Sequence, residues 1–146
     1  MRDPRPGIAW SLRRVRRRIA YRDYMASPAW FARRERWVTD WTARHGAEPC
    51  CLVCGAVWSL RHDDLHHRSY ARLGREADHD LIPLCRRCHR ALHRVLESDP
   101  SWRRLDRAQA TGLIVAALCH KALDHRSSGR EARSHEHRSH EQGDPQ

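Results

Sequence analysis

The sequence predicts a small α+β fold, and three patterns along its 146 residues support this fold class. Apolar residues recur at helical spacing on both sides of the central part of the chain. Between Cys51 and Cys88 the spacing changes to short apolar runs separated by polar turns, which is typical of strands. Two Cys-x-x-Cys pairs bracket this central part. We therefore expect a compact centre that contains strands, flanked by helices and held by an additional staple, because a core this small benefits from one.

Charge and apolar pattern divide the chain into four segments. They are a basic N-terminal arm at 1–22, a central domain at 23–98, a helical packing segment at 99–125 and a polar, histidine-containing tail at 126–146. The tail has no apolar period and is predicted to be disordered. The net charge is +10, and residues 1–44 contribute +8 of it from twelve basic and four acidic residues. This balance favours a polyanionic partner, such as nucleic acid or an anionic membrane surface, over an acidic small molecule.

The arm carries Leu12, Val15 and Ile19 at helical spacing among many arginines, which predicts a short basic amphipathic helix. A solvated helical face or a disordered basic tail fits the same pattern. If the arm contacts DNA, its candidate residues are Arg13, Arg14, Arg16, Arg17 and Arg18.

A second helix is predicted from Ser27 as N-cap, Pro28 at the first helical position and Gly46 at the far end. Its apolar stripe consists of Trp30, Trp37, Val38 and Trp41. This spacing is that of a buried face, so we expect these tryptophans in the core.

After Cys51 the pattern predicts a β-hairpin, with strands at 57–60 and 65–67 and a polar turn at 61–64. Residues 68–80 are expected to be irregular. A helix then follows the second cysteine pair and ends near Pro100. The packing segment restarts the helical pattern, with an interruption expected at Gly112.

The two Cys-x-x-Cys pairs predict a structural zinc site. Each pair can fold into a tight turn that presents both sulfurs to one ion, and intramolecular disulfides are disfavoured by this spacing. The predicted ligands are Cys51, Cys54, Cys85 and Cys88. Cys50 is an alternative to Cys51, whereas Cys119 on an apolar helix is expected to be a buried small residue.

Four histidines form a second group of candidate ligands. His66 and His67 end the predicted hairpin, and His89 and His93 are one helical turn apart directly after Cys88. Two imidazoles at that spacing face the same side of a helix and can share a metal ion. Each histidine alone is typical of a surface residue, but the cysteine frame would bring them together.

From Tyr24 to His93, about half of the chain, the sequence resembles the HNH endonucleases that contain Cys-x-x-Cys pairs and have a ββα-metal, or His-Me finger, fold. The matching motifs are Tyr24-Met25-Ala26-Ser27-Pro28-Ala29-Trp30, Cys51-x-x-Cys54-Gly55, Leu65-His66-His67-x-x-Tyr70, Leu73-Gly74-Arg75-Glu76, Asp80-Leu81-x-x-Leu84-Cys85-x-x-Cys88-His89 and His93.

The resemblance implies a zinc-knuckle-stabilised ββα-metal core and a metal-dependent enzyme that hydrolyses DNA phosphodiester bonds, with nicking as its minimal activity. It implies that His67 is the general base and that one divalent ion, Mg²⁺, Mn²⁺ or another transition metal, is held by His66 and His89, with His93 as a third ligand or a phosphate contact. Asp80 occupies the position of the family's asparagine. A carboxylate there fits four alternatives, namely orientation of His67, a more basic His67, an added metal ligand or a weakened nuclease, and we expect activity to be retained. Arg75 is a further candidate for DNA contact.

Other function classes fit part of the pattern. A non-catalytic zinc-containing DNA-binding module would use the arm and the cysteines and leave the histidines without a role. A Cys-x-x-Cys redox protein would need a βαβ context, which the pattern lacks. Because no stretch has the 18 apolar residues of a membrane span and no secretory signal is recognisable, we expect a cytoplasmic protein with no membrane partner.

Overall fold

The computed structural model describes the backbone of residues 6–139 and the side chains of residues 15–124. The elements, in order, are α1 (Pro6–Met25), α2 (Pro28–His45), β1 (Asp64–His67), β2 (Leu81–Leu84), α3 (Arg86–Ser98) and α4 (Arg107–Ser139). Short 3-10 turns at Asp78–Asp80 and Pro100–Arg104 precede β2 and α4. The predicted small α+β fold is confirmed.

The caps predicted for α2 are formed. The Ser27 side chain accepts a hydrogen bond from the Trp30 N–H at 3.2 Å, and Pro28 is the first helical residue. Gly46 ends the helix with a φ of 65°, a left-handed conformation that glycine adopts without a steric penalty. Trp30 and Trp37 are buried as predicted.

Two apolar clusters make up the core, one on each side of the sheet. The cluster beside α2 consists of Trp30, Trp37, Trp58, Leu65 and Leu81. The cluster beside α3 and α4 consists of Cys51, Ile82, Leu84, Cys88, Leu92, Ile114 and Val115. Consecutive strand residues point to opposite faces, so Leu81 and Ile82 contribute to different clusters and β2 is covered on both sides.

The hairpin differs from the predicted one. β1 pairs antiparallel with β2, and the predicted strand at 57–60 is wrong, since Val57 makes only an isolated bridge with Cys50. Val57 is 76% exposed, whereas every residue of β2 is buried, so pairing β1 with β2 removes more apolar surface from water. Pro83 obscures β2 in the sequence because proline is rare inside strands.

α4 also differs from expectation at two places. It continues through Gly112, because Thr111 and Ile114 are buried on either side and their packing outweighs the roughly 1 kcal/mol that a helical glycine costs. Its helical backbone also runs through 126–139, where a disordered tail was predicted; no proline occurs in α4 to end the helix. Residues 140–146 lie outside the described residues.

α1 is helical as predicted, but its apolar stripe is not buried: Val15 and Ile19 are each about half exposed. The C-terminal part of α1 instead brings Tyr21, Tyr24 and Met25 against the centre of the protein.

Among the described residues, no helix combines the length and apolar character that crossing a membrane requires.

Candidate metal and catalytic site

The first cysteine pair lies in a tight turn that is attached to the sheet. The Gly55 N–H donates to the Cys51 carbonyl at 2.8 Å, and Gly55 has a φ of 69°. The Leu52 N–H donates to the Pro83 carbonyl at 2.9 Å, which ties the turn to β2. The second pair begins α3, where Cys85 is the residue that precedes the first helical turn.

The structure brings the four predicted cysteines together, with all of their sulfurs within 4.8 Å of one another. The Cys54 and Cys85 sulfurs are 3.8 Å apart. Two sulfurs on a tetrahedral ion with Zn–S bonds of about 2.3 Å would be separated by about 3.8 Å. The cluster can therefore hold a structural metal such as zinc. Cys50 is exposed and outside the cluster, so Cys51 is the member, as favoured from the sequence.

The pKa values of three of the four clustered cysteines are shifted, and not all in the same direction. Burial raises the pKa of the Cys51 and Cys88 thiols. Burial acts in the same direction on Cys54, but the Ala56 backbone and the neighbouring sulfurs outweigh it and lower its pKa. Four thiolates in so small a space repel one another, so a cation is needed to hold the cluster in its ligand form.

The structure also brings three of the predicted histidines together: His66 on β1, and His89 and His93 on α3. His89 Nε2 is 3.1 Å from His66 Nδ1 and 3.1 Å from His93 Nε2. Nitrogens that share one ion at about 2.1 Å lie roughly 3.0–3.4 Å apart, depending on the coordination geometry. The three imidazoles thus have the spacing of ligands on one metal ion.

Carboxylates lie at the outer nitrogens of two of these rings. Asp64 Oδ2 is 3.1 Å from His89 Nδ1, and Glu97 Oε1 is 3.9 Å from His93 Nδ1. A carboxylate on the outer nitrogen fixes the tautomer and leaves the lone pair on the inner nitrogen. His66 is different, because its Nε2 is buried and has no hydrogen-bond partner.

Burial favours the neutral form of two of these rings, His66 and His93. It is the main cause that lowers the pKa of His66 to about 2, and the positive charges of His89, His93 and Arg107 add to it. The pKa of His93 is also lowered, first by burial and then by His89. A neutral imidazole has the free lone pair that a metal ligand needs.

His67 follows His66 on β1 and faces the opposite side, toward α1 and α2. It is 2% exposed, and its ring stacks on Trp30 at a centroid distance of 4.7 Å. Its Nε2 is 3.1 Å from Glu76 Oε1, so a proton on Nε2 donates to the carboxylate and the lone pair remains on Nδ1. Burial lowers the pKa of His67, and the Glu76 carboxylate opposes that effect in part.

Glu76 is a buried acceptor that joins several elements. Its Oε2 accepts from the Tyr24 hydroxyl at 2.9 Å, and its Oε1 accepts from the Gly74 N–H at 2.9 Å as well as facing His67. Burial opposes its ionisation, but these donors outweigh burial and lower its pKa. No role was predicted for Glu76 from the sequence, although this residue lies in one of the motifs that carry the resemblance.

Asp80 does not make the predicted hydrogen bond to His67; Glu76 makes that contact instead. The Asp80 carboxylate is bound by the Arg72 guanidinium, with Nε to Oδ2 at 2.8 Å, and by the Ala77 N–H at 2.8 Å. Both bonds hold the carboxylate in the turn before β2, which keeps it away from the imidazole. Its pKa is lowered because Arg72 and the Ala77 N–H outweigh the effect of burial.

Four of the predicted DNA-binding arginines are exposed. Arg16, Arg17 and Arg18 are exposed on α1, and Arg75 is exposed on the loop before β2. The side chains of Arg13 and Arg14 lie outside the described residues.

Arg107, which the sequence placed in the packing segment, lies close to the site. Its guanidinium is 4.8 Å from the centre of the Tyr70 ring and donates to the Tyr70 hydroxyl at 3.2 Å. Its charge helps to lower the pKa of His66 and His93.

A cavity of about 70 Å³ lies between His67 and the histidine cluster. The ligand candidates His66 and His89 line it together with His67, and Tyr21 of α1 and Trp30 of α2 cover it. A water molecule in liquid occupies about 30 Å³, so there is room for one or two. The arrangement places the His67 imidazole and two of the three clustered histidines, His66 and His89, around a space that holds one or two water molecules.

Comparisons of this chain with protein-family models, with curated proteins and with solved structures find no match.

Proposed function

We propose that the protein is a metal-dependent endonuclease of the HNH type that hydrolyses DNA phosphodiester bonds and cuts one strand at a time. The proposal rests on one arrangement: His67, held neutral against a buried carboxylate, lines the same small cavity as His66 and His89 of the metal cluster. A base for the attacking water and a cation for the phosphate are the two parts that phosphodiester hydrolysis needs.

Two metals are part of the proposal. The four cysteines would hold zinc, because a closed set of four sulfurs suits that ion and leaves no position open for substrate. His66, His89 and His93 would hold a divalent ion, Mg²⁺ or Mn²⁺, which when bound supplies positive charge beside the phosphate and the leaving oxygen. Three imidazoles also suit other transition metals, so several ions belong in the test.

The protein's own residues would supply the proton transfer. Nδ1 of His67 takes a proton from the attacking water, because Nε2 is occupied by Glu76. The imidazolium that forms is stabilised by the Glu76 carboxylate, and the stack on Trp30 holds the ring in its plane. Glu76 thus takes the positioning role that the resemblance assigned to Asp80.

DNA is the proposed partner, because the chain carries a net charge of +10 and α1 presents Arg16, Arg17 and Arg18 to solvent. We place the protein in the cytoplasm, where reducing conditions keep the four cysteines available as ligands.

The second candidate is the non-catalytic zinc-containing DNA-binding module. It is favoured by the concentration of charge ahead of the cysteines, because residues 1–44 contribute +8 of the net charge of +10. It requires that His66, His67, His89 and His93 have no chemical role.

Plasmid nicking separates the two candidates. Zinc-loaded protein is incubated with supercoiled plasmid in Mg²⁺, Mn²⁺, another transition metal or EDTA. The variants are His67→Ala and His67→Gln, the second of which keeps a larger side chain, and the control is His62→Ala, which changes an exposed histidine. We expect metal-dependent open circles from the wild type and the control alone, with zinc content and fold retained in all variants. Undiminished cleavage by His67→Ala would exclude His67 as the base. Salt-sensitive DNA binding without cleavage in any metal would favour the binding module.

A further inference from the structure

A second cavity adjoins the histidine cluster on the side of α4. It measures about 280 Å³ and lies between α3, the turn Pro100–Arg104 and the start of α4. His93 lines it together with Trp102, Arg103 and Arg107. Because His93 belongs to the metal cluster as well, the cavity opens directly beside the proposed metal site.

Arg107 in this cleft lacks a compensating negative charge. It forms no salt bridge with any residue that the structure describes, and its Nε is buried without a hydrogen-bond partner. Tyr70 fixes the guanidinium by stacking at 4.8 Å and by accepting one hydrogen bond. A partly buried guanidinium whose charge no carboxylate compensates favours an anion beside it, so the cleft is suited to an anionic group.

The rest of the cleft suits a flat apolar group. Trp102, Leu105 and Ala110 contribute apolar surface, and Arg103 adds a second cation without a described acidic partner. Glu97 lies at the end near His93 and would repel a phosphate there, which leaves the Arg107 side for the anion. An indole beside guanidinium groups is how proteins bind a base and its phosphate together.

The size of the cleft restricts the ligand. Its volume is close to the lower limit of about 300 Å³ for small-molecule sites, which fits one nucleotide and excludes a duplex. We propose that the cleft binds a single nucleotide of the DNA strand next to the scissile phosphate, with its base against Trp102 and its phosphate on Arg107. The position beside the scissile bond rests on the proposed nuclease function, whereas nucleotide binding itself does not.

The test combines binding with cleavage, using the full zinc-loaded chain. The probes are dAMP and dTMP, titrated by calorimetry to about 10 mM. The variants are Arg107→Gln, Trp102→Leu and Trp102→Phe, with the neighbouring Arg104→Gln as control because Arg104 does not line the cleft. Thermal unfolding identifies any variant that has lost its fold.

We expect Arg107→Gln and Trp102→Leu to weaken nucleotide binding about tenfold, while Arg104→Gln has no effect and Trp102→Phe retains most of the affinity because it keeps an aromatic face. In cleavage of a defined oligonucleotide, Trp102→Leu should raise KM by a similar factor with kcat little changed.

The outcomes distinguish this inference from the proposed function. Nucleotide binding that depends on Arg107 and Trp102, in a wild type that does not cleave DNA, would support the nucleotide site and reject the nuclease. A wild type that cleaves DNA but binds neither nucleotide, with KM unchanged in Arg107→Gln and Trp102→Leu, would overturn the nucleotide site and leave the proposed nuclease in place.

Discussion

Replacing Glu76 by glutamine removes the charge beside His67 while keeping the shape of the side chain. The glutamine oxygen can take the place of Oε1, which faces Gly74 N–H and His67 Nε2. Its NH₂ group then meets the Tyr24 hydroxyl, which can turn to accept. The hydrogen bonds are therefore retained in number, and the change isolates the charge.

The magnitude follows from what the carboxylate contacts. A hydrogen bond to a charged group contributes about 1 kcal/mol more than a neutral one, so three such bonds set an upper limit of about 3 kcal/mol on the loss of unfolding free energy. General-base catalysis contributes a factor of about 10²–10⁴ in rate. In Glu76→Gln, the His67 imidazolium that forms in this step has no negative charge beside it. We expect kcat to fall about 100-fold. KM should not change, because the Glu76 side chain is buried and cannot touch DNA.

The assay is single-turnover nicking in saturating Mn²⁺, at a temperature at which thermal unfolding shows every variant to be folded. Glu48→Gln, which changes an exposed glutamate, is the matched control. Asp80→Asn is the informative comparison, because the resemblance assigned the positioning role to that residue. A Glu76→Gln rate within threefold of wild type, or a larger loss of kcat in Asp80→Asn, would refute the assignment of Glu76.

Three further predictions concern stability and DNA affinity. Asp80 has a pKa below its usual value in the fold, so it stabilises the protein fully above the unfolded pKa of about 4, and this contribution is lost as the pH falls from that value through the lower pKa of the folded state. When the free energy of unfolding is measured with denaturant from pH 7 to pH 3, it should thus fall more steeply for wild type than for Asp80→Asn. At pH 7 the variant should be only about 1–2 kcal/mol less stable, because solvent screens the half-exposed Arg72 partner. Parallel plots of unfolding free energy against pH would contradict this. Cys88→Ser should abolish stoichiometric zinc binding and cooperative unfolding, whereas Cys50→Ser should preserve both, as metal analysis and thermal unfolding would show. Neutralising the three exposed arginines 16–18 together should reduce the slope of log binding constant against log salt by about 2–3, since each phosphate contact contributes about 0.9; an unchanged slope would place the DNA contact elsewhere.

Local signals in the sequence predict much of the fold. The caps of α2 and the spacing of the two cysteine pairs are each contained in a few adjacent residues, and both are formed as predicted. β2 was missed because Pro83 breaks the usual pattern of a strand, and its pairing with β1 depends on apolar residues that are distant in the chain. Non-local burial of this kind leaves no periodic signal in a short segment.

The same distinction applies to the site. The histidine cluster could be predicted from helical spacing and from the cysteine frame. The partner of His67 could not, because Glu76 and Asp80 are both acidic residues of one irregular loop and only the turn geometry decides which carboxylate reaches the ring. Arg107 lies beyond the last motif residue, and it reaches the site through the packing of α4 against α3.

The positions of His66 and His67 along β1 determine which face of the strand each imidazole occupies. Because the two side chains leave opposite faces of the strand, adding or removing one residue ahead of them would turn each ring to the other side. The imidazole proposed to bind the metal would then face Glu76, and the one proposed to accept the proton would face α3. A shift of a single position would thus disable the proposed chemistry without altering the residues of the site, and we expect a one-residue insertion or deletion ahead of His66 to abolish cleavage.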